Sequence, residues 1–135
     1  MCLTISSTIH RKLFGKYIPI KLKKDFEVYK FIKVDWSKEG IKNTITSSIQ
    51  NFTYIINNTY STRFIICGKY NNEVCDGFHS YTHKSIAESH MPYYSAIFES
   101  NGIAICIIPK GSKVFLSAYG EIVSNKIKII GVEKI

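Results

Sequence analysis

The side chains best suited to chemistry lie mainly between Cys75 and Ile130. His79 and Tyr81 stand two apart in Gly77-Phe78-His79-Ser80-Tyr81. In an extended strand, residues i and i+2 project from one face. An imidazole beside a phenol suits proton transfer, or the orientation of a nucleotide base or ribose. Glu121 opens Glu121-Ile122-Val123-Ser124, where a carboxylate facing an imidazole can hold a ribose hydroxyl or take part in catalysis. Pro109-Lys110-Gly111-Ser112-Lys113 offers two ammonium groups, a hydroxyl and a turn backbone, a combination that can cradle phosphate. It is not a P-loop, because the glycine spacing and the following helix are missing, and a plain β-turn is the alternative. Lys30 is a cation inside an apolar strand pattern, as is Arg63; such a residue sits on the solvent face or in a site. Removal of Met1 would leave Cys2 with an adjacent free amine, which can activate its own side chain as a nucleophile. The catalytic candidates are therefore Glu121 and Cys2, and the ligand-binding candidates are His79, Tyr81, Lys110, Ser112 and Lys30.

A metal site is not expected. Cys75, His79 and His83 are spaced four apart, which zinc would accept on a helix. Gly77 and the strand-like residues 78–81 break the helix that this spacing needs.

The elements that must position these groups read as follows. Cys2-Leu3-Thr4-Ile5 has the character of a short strand, within residues 1–16 that lack a clean period. Residues 17–24 alternate, but Pro19 confines them to a sheet edge or a connector. Residues 26–34 are rich in β-formers and predict a strand, followed by a loop over 35–42. Ile41, Ile45, Ile49, Phe52 and Ile56 fall at helical spacing, yet the intervening Asn, Thr and Ser residues disfavour a helix. The favoured reading there is a loop, then a strand over 52–56. Further strands are expected at 62–67, 77–81, 103–108, 113–116 and 127–130. The 103–108 segment is apolar on both faces and so central in a sheet. A helix over about 83–91, N-capped by Thr82, ends at Pro92, and Asn101-Gly102 signals a hairpin turn. The sum is one α+β domain over 1–135, mostly antiparallel sheet or a partly open barrel, with six to eight strands and one or two short helices.

Composition bounds the function class. A chain of 135 residues with 45% apolar residues can bury one ordinary core. No apolar run approaches the length of a membrane span, and Ser6, Ser7, Thr8, His10 and Arg11 interrupt any secretory core. A cytoplasmic protein with no membrane partner is expected, its four cysteines reduced, with Cys67 and Cys106 in the core. The formal charge of +8 is spread along the chain, in a Lys-, Ile- and Asn-rich composition of the kind that AT-rich coding produces. That favours a solvated surface over a nucleic-acid footprint, while the field still attracts phosphate-bearing ligands.

In order along the chain, Met1-Cys2-Leu3, Val28-Tyr29-Lys30, Gln50-Asn51-Phe52-Thr53-Tyr54, Gly77-Phe78-His79-Ser80, Ile108-Pro109-Lys110-Gly111-Ser112 and Gly120-Glu121-Ile122-Val123-Ser124 resemble a family of small phage, prophage and gut-bacterial proteins. The family brings no activity to transfer. The chain also resembles, more weakly, the ADP-ribosyltransferase fold: Lys30, Tyr81 and Glu121 occupy comparable order, with Lys30 where that fold usually carries His or Arg. The likeness implies a phage-type accessory protein in the host cytoplasm; the positive charge and the His79/Tyr81/Lys110/Glu121 set lead to the expectation that it binds a nucleotide-like or other phosphate-bearing small molecule, such as a host defence signal. The alternatives are an ADP-ribosyltransferase-like or N-terminal-Cys enzyme, and a protein-binding inhibitor of a host factor. Cofactor and oligomeric state stay open.

Overall fold

The computed structural model describes residues 3–33, 53–90 and 102–133, and the backbone of 44–47 and 134. Cys2, the 35–42 loop, the stop at Pro92 and the start of the Asn101-Gly102 turn lie outside those residues.

The fold is mostly antiparallel sheet with one short helix among the described residues, and every strand pair is antiparallel. Its axis is β5 (Phe26–Lys33), paired along its length with β12 (Gly102–Ile108). On the far side of β12 runs β15 (Lys126–Lys134), followed by the short edge strand β8 (Thr59–Ser61). The other flank of β5 forks. Midway along, it meets β11 (Phe78–Tyr81) at the single pair Tyr81↔Tyr29, and at its end it meets β6 (Thr44–Ser47). Beyond β11 come β14 (Glu121–Ser124), β13 (Lys113–Leu116) and the edge strand β4 (Ile20–Lys21). β6 carries β7 (Thr53–Ile55) on its outer side. The sheet so formed is open, its path ending at β4 and β8.

Two smaller units sit beside it. β1 (Leu3–Thr4), β10 (Glu73–Asp76) and β9 (Ile65–Cys67) form a three-stranded sheet. β2 (Lys12–Leu13) and β3 (Lys16–Tyr17) form a separate hairpin.

Three apolar clusters follow from strand alternation. The main core joins Val28 and Ile32 of β5 to Ala104, Cys106 and Ile108 of β12 and to Ile127 and Ile129 of β15. On the opposite face the helix at 84–90 (α1) covers Phe31, Tyr81 and Ile103 with Ala87 and Ile86. The small sheet packs Leu3, Ile5 and Val74 on Phe115 and Val123.

The sequence expectations need several corrections. Strands number more than six to eight, because many are two- or three-residue edge pieces too short to carry a period. Residues 44–47 are a strand and not the expected loop: Thr44, Ile45 and Thr46 are β-formers, and pairing with β5 and β7 fixes them in the sheet. Gly102 is a ladder residue paired with both Ile32 and Lys134. Thr82 does not serve as the expected cap: its hydroxyl donates to Gly120 O and meets His83 Nδ1, while His83 O accepts the first helical amides from Ile86 and Ala87. Cys67 is not a reduced core thiol. It is half-buried and joined to Cys75 by a disulfide between neighbouring strands β9 and β10.

Candidate functional site

Strand register decides which candidates meet. In β11 and β14, Tyr81 lies directly opposite Glu121 and His79 opposite Val123, so His79, Tyr81 and Glu121 share one face of the sheet. Different covers lie over that face. The Tyr81 ring is buried under α1, edge-on to Phe31 and stacked on the His90 ring at 5.4 Å. Glu121 is half-buried at the rim, its strand start fixed by Ser117, whose hydroxyl accepts the amides of Tyr119 and Glu121. The Gly120 turn passes so close to α1 that a Cβ there would lie 2.4 Å from Ile86 Cδ1.

Lys30 sits at the fork of the main sheet. It shares its strand face with Val28 and Ile32 and is 9% exposed, so its ammonium is inside the core. β11 pairs with β5 only at Tyr81, and beyond that point Lys30 Nζ donates to His79 O at 2.7 Å. Burial lowers the Lys30 amine to about 8, against a smaller upward pull from the Cys106 thiol. His79 is lowered to about 4, first by burial and then by the Lys30 charge, with a backbone hydrogen bond at Cys75 opposing. The imidazole is therefore neutral at pH 7, and its buried Nε2 has no hydrogen-bond partner among the described residues. Burial pushes the neighbouring Cys106 thiol up to about 12, so it is inert as a nucleophile.

Lys110 lies apart from this cluster. It joins Lys21 and Lys23, with Leu22 and Gly111, around a groove of about 500 Å³ at the β4 edge. Local hydrogen bonding shapes the groove. Leu22 N donates to Ser112 O, Gly111 N to Leu22 O, and Lys110 N to Asp25 Oδ1. Gly111 supplies the positive φ of +87° that the turn requires. The backbone amides expected to cradle phosphate are thus already engaged, since Ser112 N also donates to Pro109 O. Ser112 is fully buried, so its hydroxyl does not line the groove. Among the described residues the groove lining presents three exposed ammonium groups, with the Asp25 carboxylate beside it on the Lys110 amide.

No protein-family model, no curated protein and no solved structure matches this chain.

Sequence reading did not find Lys21 and Lys23 as partners of Lys110. The available signal was the alternation Ile20-Lys21-Leu22-Lys23, but their convergence depends on β4 pairing with β13, at Lys21↔Lys113 and Ile20↔Val114. Nor did it single out the third metal-type donor: Glu73 lies opposite Cys67 and on the same strand as Cys75, and the three donor atoms fall within 4.8 Å of one another. With the sulfurs joined, that cluster has one free donor group, the carboxylate.

Proposed function

We propose that the protein binds a phosphate-bearing small molecule of the nucleotide class in the Lys21/Lys23/Lys110 groove, as an accessory protein that sequesters such a ligand without consuming it. The observation that carries this reading is the convergence of three lysines from two chain segments on one groove, of a size that small ligands occupy. Flexible ammonium groups on an exposed surface bind phosphate as point charges, so the expected recognition favours charge over base identity. Leu22 offers an apolar floor for a base or ribose. Sequestration of a host nucleotide signal in a phage setting is the most specific form of this reading.

Isothermal titration with adenosine triphosphate and with inorganic phosphate tests it. Binding should be lost on the order of tenfold in Lys110→Ala and more in Lys21→Ala/Lys110→Ala. Nucleotide recovered after denaturation should be intact. Unchanged affinity in the double variant would remove the groove from the account.

A second reading takes Glu121, half-buried at the rim and opposite Tyr81 in register, as the carboxylate of an enzyme acting on a nucleotide. It predicts turnover that Glu121→Gln abolishes while Lys110→Ala leaves the catalytic step intact.

A further inference from the structure

We propose that the β2–β3 hairpin is a membrane-contact element, its apolar tip entering the headgroup boundary of an anionic phospholipid bilayer while the cations around it meet lipid phosphates.

The first observation is what the tip exposes. Phe14 is 95% exposed and Leu13 56% exposed, at the end of a hairpin that forms its own two-stranded sheet. A large aromatic side chain in water at the apex of a turn leaves its apolar area uncovered by the described residues.

The second is that this residue type opposes its own backbone. Lys12↔Tyr17 and Leu13↔Lys16 pair across a two-residue loop, and both loop residues have positive φ, 51° at Phe14 and 77° at Gly15. Turns of this kind take Asn or Gly at the first loop position, because an aromatic Cβ is disfavoured there. Folding alone gives no reason for Phe at that site, whereas insertion of an aromatic ring into a bilayer boundary does.

The third is charge complementarity. The first acidic residue of the chain is Asp25, whereas Arg11, Lys12 and Lys16 lie in or next to the hairpin. All three of these side chains are exposed. An apolar tip set in a carboxylate-free basic segment fits an anionic lipid surface, where burial and phosphate attraction add.

The fourth is that the hairpin base is held in place. His10 is buried, and its Nε2 accepts the Leu116 amide at 2.9 Å, which leaves Nδ1 to donate to Ile18 O at 3.0 Å. Ile18 N donates to Arg11 O, and Lys12 Nζ lies 4.7 Å over the Tyr17 ring, which packs on the small-sheet cluster. The tip is presented by a braced element.

The sequence argued against a membrane partner because no run is long enough to span. A surface contact needs no span, and among the described residues no helix is long and apolar enough to cross.

The test is sedimentation of the full chain with vesicles of phosphatidylcholine mixed with phosphatidylserine, against vesicles of phosphatidylcholine alone. The expected result is binding to the mixed vesicles that is on the order of tenfold tighter than to the neutral ones and weakens with salt. Phe14→Asn should raise the melting temperature, since Asn accepts the turn, and should weaken vesicle binding on the order of tenfold. In Phe14→Trp, the added tryptophan emission should shift to the blue on mixing with anionic vesicles only. Lys110→Ala should leave vesicle binding within about twofold, which separates this surface from the nucleotide groove. Equal binding to both vesicle types, no binding to either, or unchanged binding by Phe14→Asn would overturn the proposal, as would loss of binding in Lys110→Ala alone.

Discussion

Lys30 is a cation that the fold has carried from solvent into the core. An amine lowered from 10.5 to about 8 carries a charge that the folded state disfavours. Below pH 8 both states are protonated and the penalty, on the order of 3 kcal/mol, is fully present. Between pH 8 and 10.5 the unfolded chain binds the extra proton, so stability should rise with pH across that window. Lys30→Met should flatten that rise in urea melts taken at successive pH values, and should raise stability at pH 7 by about 1 kcal/mol. Relief of the buried charge then exceeds the cost of leaving His79 O without its donor. His79 acts at the acidic end. Its value is lowered to about 4, so as pH falls from 6.5 towards 4 the unfolded chain takes up the proton first and stability declines. His79→Gln should remove that decline, read by the same melts. A buried charge retained at such a cost marks a residue worth testing for function as well as for stability.

At the scale of elements, close packing and turn geometry set the tolerances. Gly77 joins β10 to β11 with φ +141°, and a Cβ there would lie 2.3 Å from Val123 Cγ1. Val123 is a fully buried member of the small-sheet cluster and has little room to move. Gly77→Ala should therefore lose about 2–3 kcal/mol in chemical denaturation, combining overpacking with backbone strain. The β9–β10 hairpin is stapled by Cys67–Cys75, which closes a loop with a sequence separation of 8. Chain-entropy reasoning gives such a loop about 2–3 kcal/mol. The double variant Cys67→Ser/Cys75→Ser should lose about that much relative to the oxidised protein, and reductant should lower the melting temperature of the parent but not of the variant. The disulfide corrects the expectation of reduced cysteines for a physical reason. Strand pairing puts Cys67 opposite Glu73, and a bulge between Val74 and Asp76 turns Cys75 toward it, a proximity that linear spacing does not display.

For the whole molecule, the governing quantity is a formal charge of +8 that the fold distributes unevenly in chemistry if not in number. Lys30 is removed to the core, Lys84 is paired with Glu133 and lies 3.9 Å from Glu88, and Lys21, Lys23 and Lys110 remain free to meet an anion in the groove. Attraction between exposed charges is screened over about 8–10 Å at physiological ionic strength. Nucleotide affinity should consequently fall with added potassium chloride, and the slope of that fall should shrink in Lys21→Ala/Lys110→Ala when followed by titration calorimetry at several salt concentrations. A salt-independent affinity would point to recognition by buried polar groups instead.

Much of this architecture was legible in the chain. The strands at 26–33, 78–81, 102–108 and 113–116 follow from β-branched and aromatic runs bounded by Gly, Pro and Asp, and the apolar-on-both-faces pattern of 103–108 does mark a central strand, between β5 and β15. Alternation alone also put His79 and Tyr81 on one face. Tertiary contacts decided the rest, because those features depend on partners far away in sequence. Pairing of β4 with β13 gathers Lys21 and Lys23 beside Lys110, while the same turn buries the Ser112 hydroxyl that looked available. The fork of β5 turns Lys30 from a surface or site cation into a core amine. Local sequence carries propensity and period, but register and burial are properties of the assembled sheet, and they determine which of these groups a ligand can reach.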